Sequence, residues 1–413
     1  MSNKNFIISA LTVFVQYYDY HLFGFLAADI ADHFFSPDTA ATQILHTYFI
    51  MTLAVIAKPL GAILLGKIGD RSGRSNSFKI SLICTAIASI ILSLTPSYES
   101  IGLISAFILL LCRMTICTFT SSGSDGVRIY IFEHIDRSRR SFGIAITNLF
   151  ILAGSFFAST VAWIFTLNYF PPYFWRFAFL LGGILGLIVL LVMRIYNFSD
   201  AKPVKETEGF EFFQNRPLIK ILGSNYKLFI LCTILAGSIG STNQFLLIFF
   251  GTYNFEILGI VERSLMSQYI SIAIALYMIF GLIAGFLADK FGPYLVFNIA
   301  VIVILILSAI LCIEINNLIF DSGIFFILIS FMPLVTMPAA SIFTRSIPKA
   351  VRYRFFSLSH AIGSVIISAP TAFISTYIYV ETNIPWLPLL YFIATIILIF
   401  ITTFYLNKQK FTE

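Results

Sequence analysis

GKIGDRSG, Gly66 to Gly73, is the stretch on which the fold turns, because it returns later in the chain as GFLADKFG, Gly285 to Gly292. Asp70 and Asp289 thereby stand 219 residues apart. Each copy closes a long apolar run, and a helix needs roughly 20 mostly apolar residues to cross the hydrocarbon core of a bilayer. Six such runs begin near Phe6, His46, Ser77, Ile101, Ser141 and Phe174, and six more near Lys227, Leu265, Pro293, Phe320, Phe355 and Pro385. The two signature loops follow the second run and the eighth, equivalent points of two halves. The longest hydrophilic stretch separates those halves. The expectation is an all-α integral membrane protein with 12 transmembrane helices arranged as two six-helix bundles. Residues 1–197 form one bundle, 198–226 a cytoplasmic linker, and 227–413 the other.

Composition supports a membrane protein and excludes much else. Of the 413 residues 58% are hydrophobic and only 11% charged, where a soluble domain carries about 25% charged residues. Disorder, a nucleic-acid arm and a disulfide scaffold do not fit such numbers. An outer-membrane barrel would alternate over segments of about ten residues, and these runs are continuous. Cys84, Cys112, Cys117, Cys232 and Cys312 all lie in apolar runs and read as small membrane hydrophobes. No metal-ligand cluster and no cofactor is expected. The 45 Phe residues read mostly as lipid-facing bulk.

Orientation follows from the loop cations. With the N-terminus in the cytoplasm, 22 of the 26 Lys and Arg residues fall on the cytoplasmic side. The outer loops keep Arg176 and Arg263, beside Asp29, Asp32, Glu256, Asp321 and other acids. Both termini are expected to be cytoplasmic, the first helix serving as an uncleaved signal anchor.

Two cations, Lys58 and Arg113, are left inside the membrane with Asp19. At 1.5 Å per residue all three lie about 20 Å from the start of their helices, near mid-depth, where insertion of a charge costs about 2.5–3.5 kcal/mol. Either Asp19 pairs with one of the cations to tie helices together, or the three line a cavity. Thr120 and Ser124 continue the Arg113 stripe to within about 40°, so that this seam faces a neighbour or a water-filled path. Asp125, close to the cytoplasmic end, reads as a rim or packing charge with Arg128 as a candidate partner. Asn148, Asn243 and Gln244 need hydrogen-bond partners in hydrocarbon, either substrate or another helix. His21, stacked with Tyr17, reads as a packing residue, and His360 has no evident partner in the sequence.

Six plus six helices with a G-x-x-x-D-[RK]-x-G loop after the second and eighth resemble the major facilitator superfamily of secondary transporters. LAVIAKPLGAILLGKIGDRSGRS (Leu53–Ser75) is similar to A-R-P-L-G-A-x-x-F-G-x-x-G-D-R-x-G-R-K, the signature of its metabolite:proton symporter branch, which includes proline/betaine and α-ketoglutarate carriers. YYDYHLFGFLA (Tyr17–Ala27) resembles that branch's first helix, and VRYRFFSLSHAIG (Val351–Gly363) resembles V-R-Y-T-x-L-x-L-S-Y-N-I-G. The departures are chemical. Gln16 stands at a Glu of the first helix and Lys58 at the Arg of the second. In RMTICTFTSSGSDG (Arg113–Gly126), set against R-x-x-Q-G-x-x-x-G-G-E-Y-G-G, Ile116 replaces the Gln and Gly123 the Glu.

The resemblance implies a secondary transporter in a bacterial inner membrane, moving a small carboxylate-bearing metabolite, an organic acid or a zwitterion such as proline or betaine, by alternating access with a proton as coupling ion. The alternatives are a proton-independent facilitator or exchanger and, more remotely, a non-transporting receptor. The lipid bilayer and a small-molecule substrate are the expected partners, nucleic acid is not, and no enzyme activity is expected. The expected pathway residues are Asp19, Lys58, Arg113, Thr120, Ser124, Asn148, Asn243 and Gln244. With both motif carboxylates absent, Asp19 is the expected proton carrier. The signature loops, Gly66, Gly69, Asp70, Arg71, Gly73 and Arg74 with Gly285 and Asp289, read as a cytoplasmic gate. Gly66 and Gly69 allow close helix approach, Asp70 can cap a helix N-terminus, and Arg71 and Arg74 reach Glu133 or Asp136.

Overall fold

A computed structural model describes residues 3–35, 39–61, 63–65, 74–134, 136–165, 169–196, 226–347 and 352–408. Among them the chain is helical throughout, with no strand. Its long helices are α1 (Asn3–Phe25), α2 (Ala40–Val55), α3 (Arg74–Leu94), α4 (Leu103–His134), α5 (Arg140–Phe165) and α6 (Trp175–Ile195). They continue with α7 (Tyr226–Gln244), α8 (Arg263–Phe291), α9 (Pro293–Asn316), α10 (Ser322–Ser346), α11 (Arg352–Gly363) and α12 (Pro388–Lys408). A short helix, Ala27–Phe34, follows α1, and Thr371–Thr382 prolongs the line of α11. Ten helical stretches among the described residues are long and apolar enough to cross a membrane.

The helix ends follow local chemistry. Asp321 caps α10, its carboxylate accepting from the Gly323 amide at 2.7 Å, and Pro293 occupies the first turn of α9, where its missing N–H costs nothing. Pro370 interrupts the α11 line. Before it, residues Ser364–Ser368 form a wide π-turn, and the displaced Ile367 carbonyl is satisfied by the Tyr391 hydroxyl at 2.9 Å. A second pair of π-turns extends α7 over Phe245–Phe249 and Tyr253–Ile257. In hydrocarbon such irregular backbone persists only where neighbours supply the lost bonds.

Packing groups α1 with α5 and α6, and α3 with α4 and α6; α7 packs with α11 and α12, and α8 and α9 with α10. The seam between the groups is formed by α5 on α8, α2 on Thr371–Thr382, and α4 on α11. Close approach of α1 and α5 depends on Gly154, where a Cβ would lie 2.2 Å from the Phe14 carbonyl. The exposed faces are largely aliphatic: Ile299, Ile302, Ile306 and Ile313 form one stripe along α9. Phenylalanine is used differently from the lipid-facing expectation. Phe245, Phe249, Phe250, Phe325, Phe343 and Phe392 are buried and meet ring to ring, Phe343 with Phe356 at 4.4 Å and Phe245 with Phe392 at 5.2 Å. Flat rings fill seams between helices and gain from offset and edge contacts that lipid tails do not offer.

Candidate substrate site and gates

Helical periodicity sorts α1 into two faces. Tyr17, Tyr20, His21, Gly24 and Phe25, spaced three and four apart, share one face. Gly24 on that face abuts Ile248 of the second group. The opposite face turns into the first group: Gln16 donates to the Ser81 hydroxyl, Tyr18 donates to the Ala178 carbonyl at 2.7 Å, and Asp19 accepts from Ser89 at 2.8 Å. A Cβ on Gly182 of α6 would fall 1.9 Å from Asp19 Oδ1, so the bare backbone there makes room for the carboxylate.

The two membrane cations converge on one ring. Lys58 Nζ lies 4.7 Å from the centroid of Tyr20, and the Arg113 guanidinium carbon 4.6 Å from the same centroid and 4.7 Å from that of Phe23. Such contacts stabilise a desolvated cation by about 2 kcal/mol. Arg113 is completely buried. Its Nη1 donates to the Tyr20 carbonyl at 2.7 Å, while its Nε and Nη2 have no partner among the described residues. No ion pair within 4 Å joins Asp19 to either cation among the described residues, and Asp19 Oδ2 is likewise without a hydrogen-bond partner. Of the two alternatives, the pairing of Asp19 with Lys58 or Arg113 is not what the structure shows; the groups are separated. The carboxylate lies behind α1 and the cations lie on its Tyr20 side, because Asp19 and Tyr20 are adjacent residues and point about 100° apart on a helix.

Below this cluster the Arg113 stripe meets α1 as the sequence expects of a neighbour-facing seam. Cys117 and Thr120 are buried, and Ser124 lies 3.2 Å from the Tyr17 hydroxyl. Gln244 faces across the seam to Met51 Sδ at 3.9 Å. Asn243 is half-buried, its Oδ1 unpartnered, near the Tyr277 hydroxyl, which bonds Thr336 at 2.6 Å. Asn148 is half-buried on α5 and makes no side-chain hydrogen bond among the described residues.

Asp125 follows the packing alternative of the sequence reading, with a partner the sequence did not name: it is buried, and His360 Nδ1 of α11 lies 3.1 and 3.2 Å from its two oxygens. The helix turns it inward against α11, 235 positions away. His360, left without a partner by the sequence, has this one. A signal was present, since both are titratable residues at points where the quoted motifs have Gly and Tyr. Tyr20, the ring shared by both cations, was also missed. Its neighbours Tyr17 and His21, at 6.0 and 5.2 Å ring to ring, complete an aromatic face.

Bonds close the seam toward both ends. At the end that carries the second signature loop Asp289 accepts from the Ser141 and Phe142 amides at 3.0 and 2.9 Å, capping α5. Arg345 stands 3.9 Å from it, and Ser141 Oγ donates to Ser341 Oγ at 3.0 Å. A carboxylate on a helix N-terminus is the role expected of the signature Asp. Gly285 lies at the same contact, its site for a Cβ 3.0 Å from the Ser141 carbonyl. Gly66, Gly69, Asp70, Arg71 and Gly73 lie outside the described residues, as do the side chains of Arg74 and Glu133. At the opposite end Arg263 of α8 pairs with Asp29, and midway along α2 and the residues that follow it Thr52 donates to the Ala369 carbonyl at 3.0 Å.

Family comparison agrees with this two-group, seam-centred arrangement. The model of the Major Facilitator Superfamily matches residues 9–371. The chain belongs to that superfamily. It is a multi-pass membrane transporter and not an enzyme. Among curated relatives, a protein of Staphylococcus aureus (strain COL) named "Putative proline/betaine transporter" is 26% identical, with 98% of this chain and 88% of the relative covered. The glycine betaine/proline/ectoine/pipecolic acid transporter OusA of Dickeya dadantii is 24% identical over 98% of this chain and 83% of its own. The D-xylose-proton symporter crystal structure superposes with a TM-score of 0.72 at 15% identity, covering 98% and 97% of the two chains, a likeness of fold. In superfamily terms the aromatic–cation cluster lies on the seam between bundles, where substrate is bound in transporters built from repeats.

Proposed function

We propose that this chain is a secondary active transporter of a small carboxylate-bearing metabolite, an organic acid or a zwitterion such as proline or betaine, driven by a proton. The observation that carries the reading is Arg113. A completely buried guanidinium with two unpartnered nitrogens, beside Lys58 and the Tyr20 ring, is a donor set for a carboxylate. Asp19 forms no ion pair with either cation among the described residues, so positive charge at Arg113 and Lys58 is left to be met by an anionic group. Arg offers that group a bidentate fork. Lys58, Thr120 and Ser124 from the first bundle and Asn148, Asn243 and Gln244 along the seam complete the proposed pathway. The names of the relatives from S. aureus and D. dadantii support this substrate class.

The proposed frame is 12 spans in two six-helix halves, residues 1–197 and 227–413 about a cytoplasmic linker, with both termini cytoplasmic in a bacterial inner membrane. The cytoplasmic gate comprises the two signature loops, Gly66 to Arg74 with Glu133 and Gly285 with Asp289; the bonds of Asp289 to the first turn of α5 support the reading. Alternating access follows if the inner contacts and the outer Asp29–Arg263 pair break in turn. Cysteines at Ser97 and Thr382 should react from outside and one at Ser138 should not; the inverted pattern refutes the orientation. The function is tested by uptake of labelled proline, betaine and dicarboxylates into proteoliposomes, with and without an imposed pH gradient. Accumulation with the gradient supports symport. Exchange that ignores the gradient favours the facilitator reading, consistent with Gln16 and Gly123 at the two motif carboxylates.

A further inference from the structure

We propose that Asp125 and His360 form the binding site for the coupling proton and, with it, the proton-sensitive latch of the cytoplasmic gate, an inference that rests on the transporter reading above. Three observations converge on the pair. It is the contact of a carboxylate with an imidazole across the seam, Asp125 on α4 of one bundle and His360 on α11 of the other, at 3.1 Å. Asp125 is buried, so its partner in this state is protein and not water. And it adjoins the candidate substrate cluster through a short polar chain: Ser124, its sequence neighbour, meets the Tyr17 hydroxyl at 3.2 Å, and the Tyr17 ring contacts those of Tyr20 and His21. Asp19, by contrast, bonds only within its own bundle, and its charge does not bear on whether the seam is open.

The surroundings give the pair its polarity. From α1 Tyr17 faces Asp125, from the segment after α2 Lys58, and from the next turn of α4 Arg128. Arg128 also crosses the seam, its guanidinium carbon 5.8 Å from the Phe356 ring, which stands 6.1 Å from His360. Phe343 of α10 covers the other side of Phe356. With cations on the Asp125 side, the carboxylate stays the acceptor and the exchangeable proton belongs to the imidazole. Protonated, His360 makes a charge-assisted bond to Asp125, which holds α11 to α4; neutral, it makes an ordinary one. Opening toward the cytoplasm parts α4 from α11, strips the imidazolium of its carboxylate and releases one proton to the inside. The balance is one proton taken up by His360 in the closed form and one given up in the open form.

Gate closure can be read without any substrate. Ser141 Oγ and Ser341 Oγ, 3.0 Å apart across the inner seam, become a reporter when both are changed to Cys. Ser241 and Thr371, 2.6 Å apart within one bundle, changed likewise, report thiol chemistry alone. Disulfide formation is followed as loss of maleimide-reactive thiol, against the parent with its five cysteines. Across about pH 5.5 to 8, where histidine titrates, the seam reporter should fall relative to the within-bundle pair. At the acid end it should form about tenfold faster than in the same protein carrying His360→Gln or Asp125→Asn, the weight of one charge-assisted bond, and at the alkaline end equally fast. His360→Lys, a permanent cation, should keep the fast rate throughout. A ratio of the two reporters that ignores pH in the otherwise unaltered chain overturns the proposal whatever the variants do, as does His360→Lys behaving like His360→Gln. Because no substrate is present, such a failure leaves the transporter reading standing, and absence of carboxylate uptake would leave this result untouched.

Discussion

The two bundles handle polarity in opposite ways. The first buries full charges, Asp19, Lys58, Arg113 and Asp125; the second buries hydroxyls and amides, such as Ser238, Ser241, Thr242, Gln244, Thr336 and Thr371, and carries His360, Asp289 and Arg263 at its contacts with the first. Backbone shape divides the same way. Among the described residues the π-turns all lie in the second half, after α7 and after α11, and carbonyls on the α11 line are met by Tyr391 and by Thr52 of the other half. The difference teaches a division of labour: one bundle holds a rigid electrostatic surface, and the other offers adaptable neutral donors on helices already loosened at defined turns.

That contrast can be broken at its most rigid point first. Gly154→Leu, which forces a side chain into the Phe14 carbonyl, should leave no folded protein in the membrane, whereas Gly281→Ala, with open space at its Cβ, should express as the parent does. Fluorescence size-exclusion profiles in detergent decide it, and a well-folded Gly154→Leu would deny that α1 and α5 form a fixed unit. Next in size, Arg113→Lys keeps the charge and loses the fork, so carboxylate binding should weaken about tenfold or more, as read by titration calorimetry. Equal affinity would remove Arg113 as the clamp.

A third test ranks the two carboxylate sites. Accumulation driven by an imposed pH gradient should fall further in His360→Gln than in Asp19→Asn; the reverse order returns the coupling proton to Asp19, as the sequence alone suggested. The smallest effect lies at the outer face. Burial, reinforced by the Arg176 guanidinium that donates to its Nε2 at 2.5 Å, pushes His33 down to about 4 from an ordinary 6.5. A lowered folded value means the unfolded chain takes the proton first. The contribution of His33 to stability is therefore complete above pH 6.5 and lost as pH falls toward 4. In His33→Gln the drop in melting temperature over that window should shrink, measured by differential scanning fluorimetry. An unchanged drop assigns the acid sensitivity elsewhere.

Much of this protein is written in one dimension. The apolar runs, the repeated GKIGDRSG and GFLADKFG loops and the mid-membrane depth of Asp19, Lys58 and Arg113 could be read without coordinates. Transfer of each residue into hydrocarbon is nearly a property of that residue and its position along a helix. The helix-capping role expected of Asp70 lies outside the described residues, and the cap that Asp289 makes on α5, 148 positions away, is a matter of packing. What the tertiary structure decided was partnership. Whether Asp19 meets Arg113 or Ser89, whether phenylalanines face lipid or one another, and whether Asp125 ends at a rim or against His360 all depend on how each helix is rotated about its axis and how closely its neighbour approaches. One residue along a helix turns a side chain by about 100°, and Gly154 and Gly182 let backbones approach where any larger residue would hold them apart. Contacts between residues 70 or 235 positions apart, as in Ser89–Asp19 and His360–Asp125, arise from the packing of all the helices together, so no local stretch of sequence encodes them.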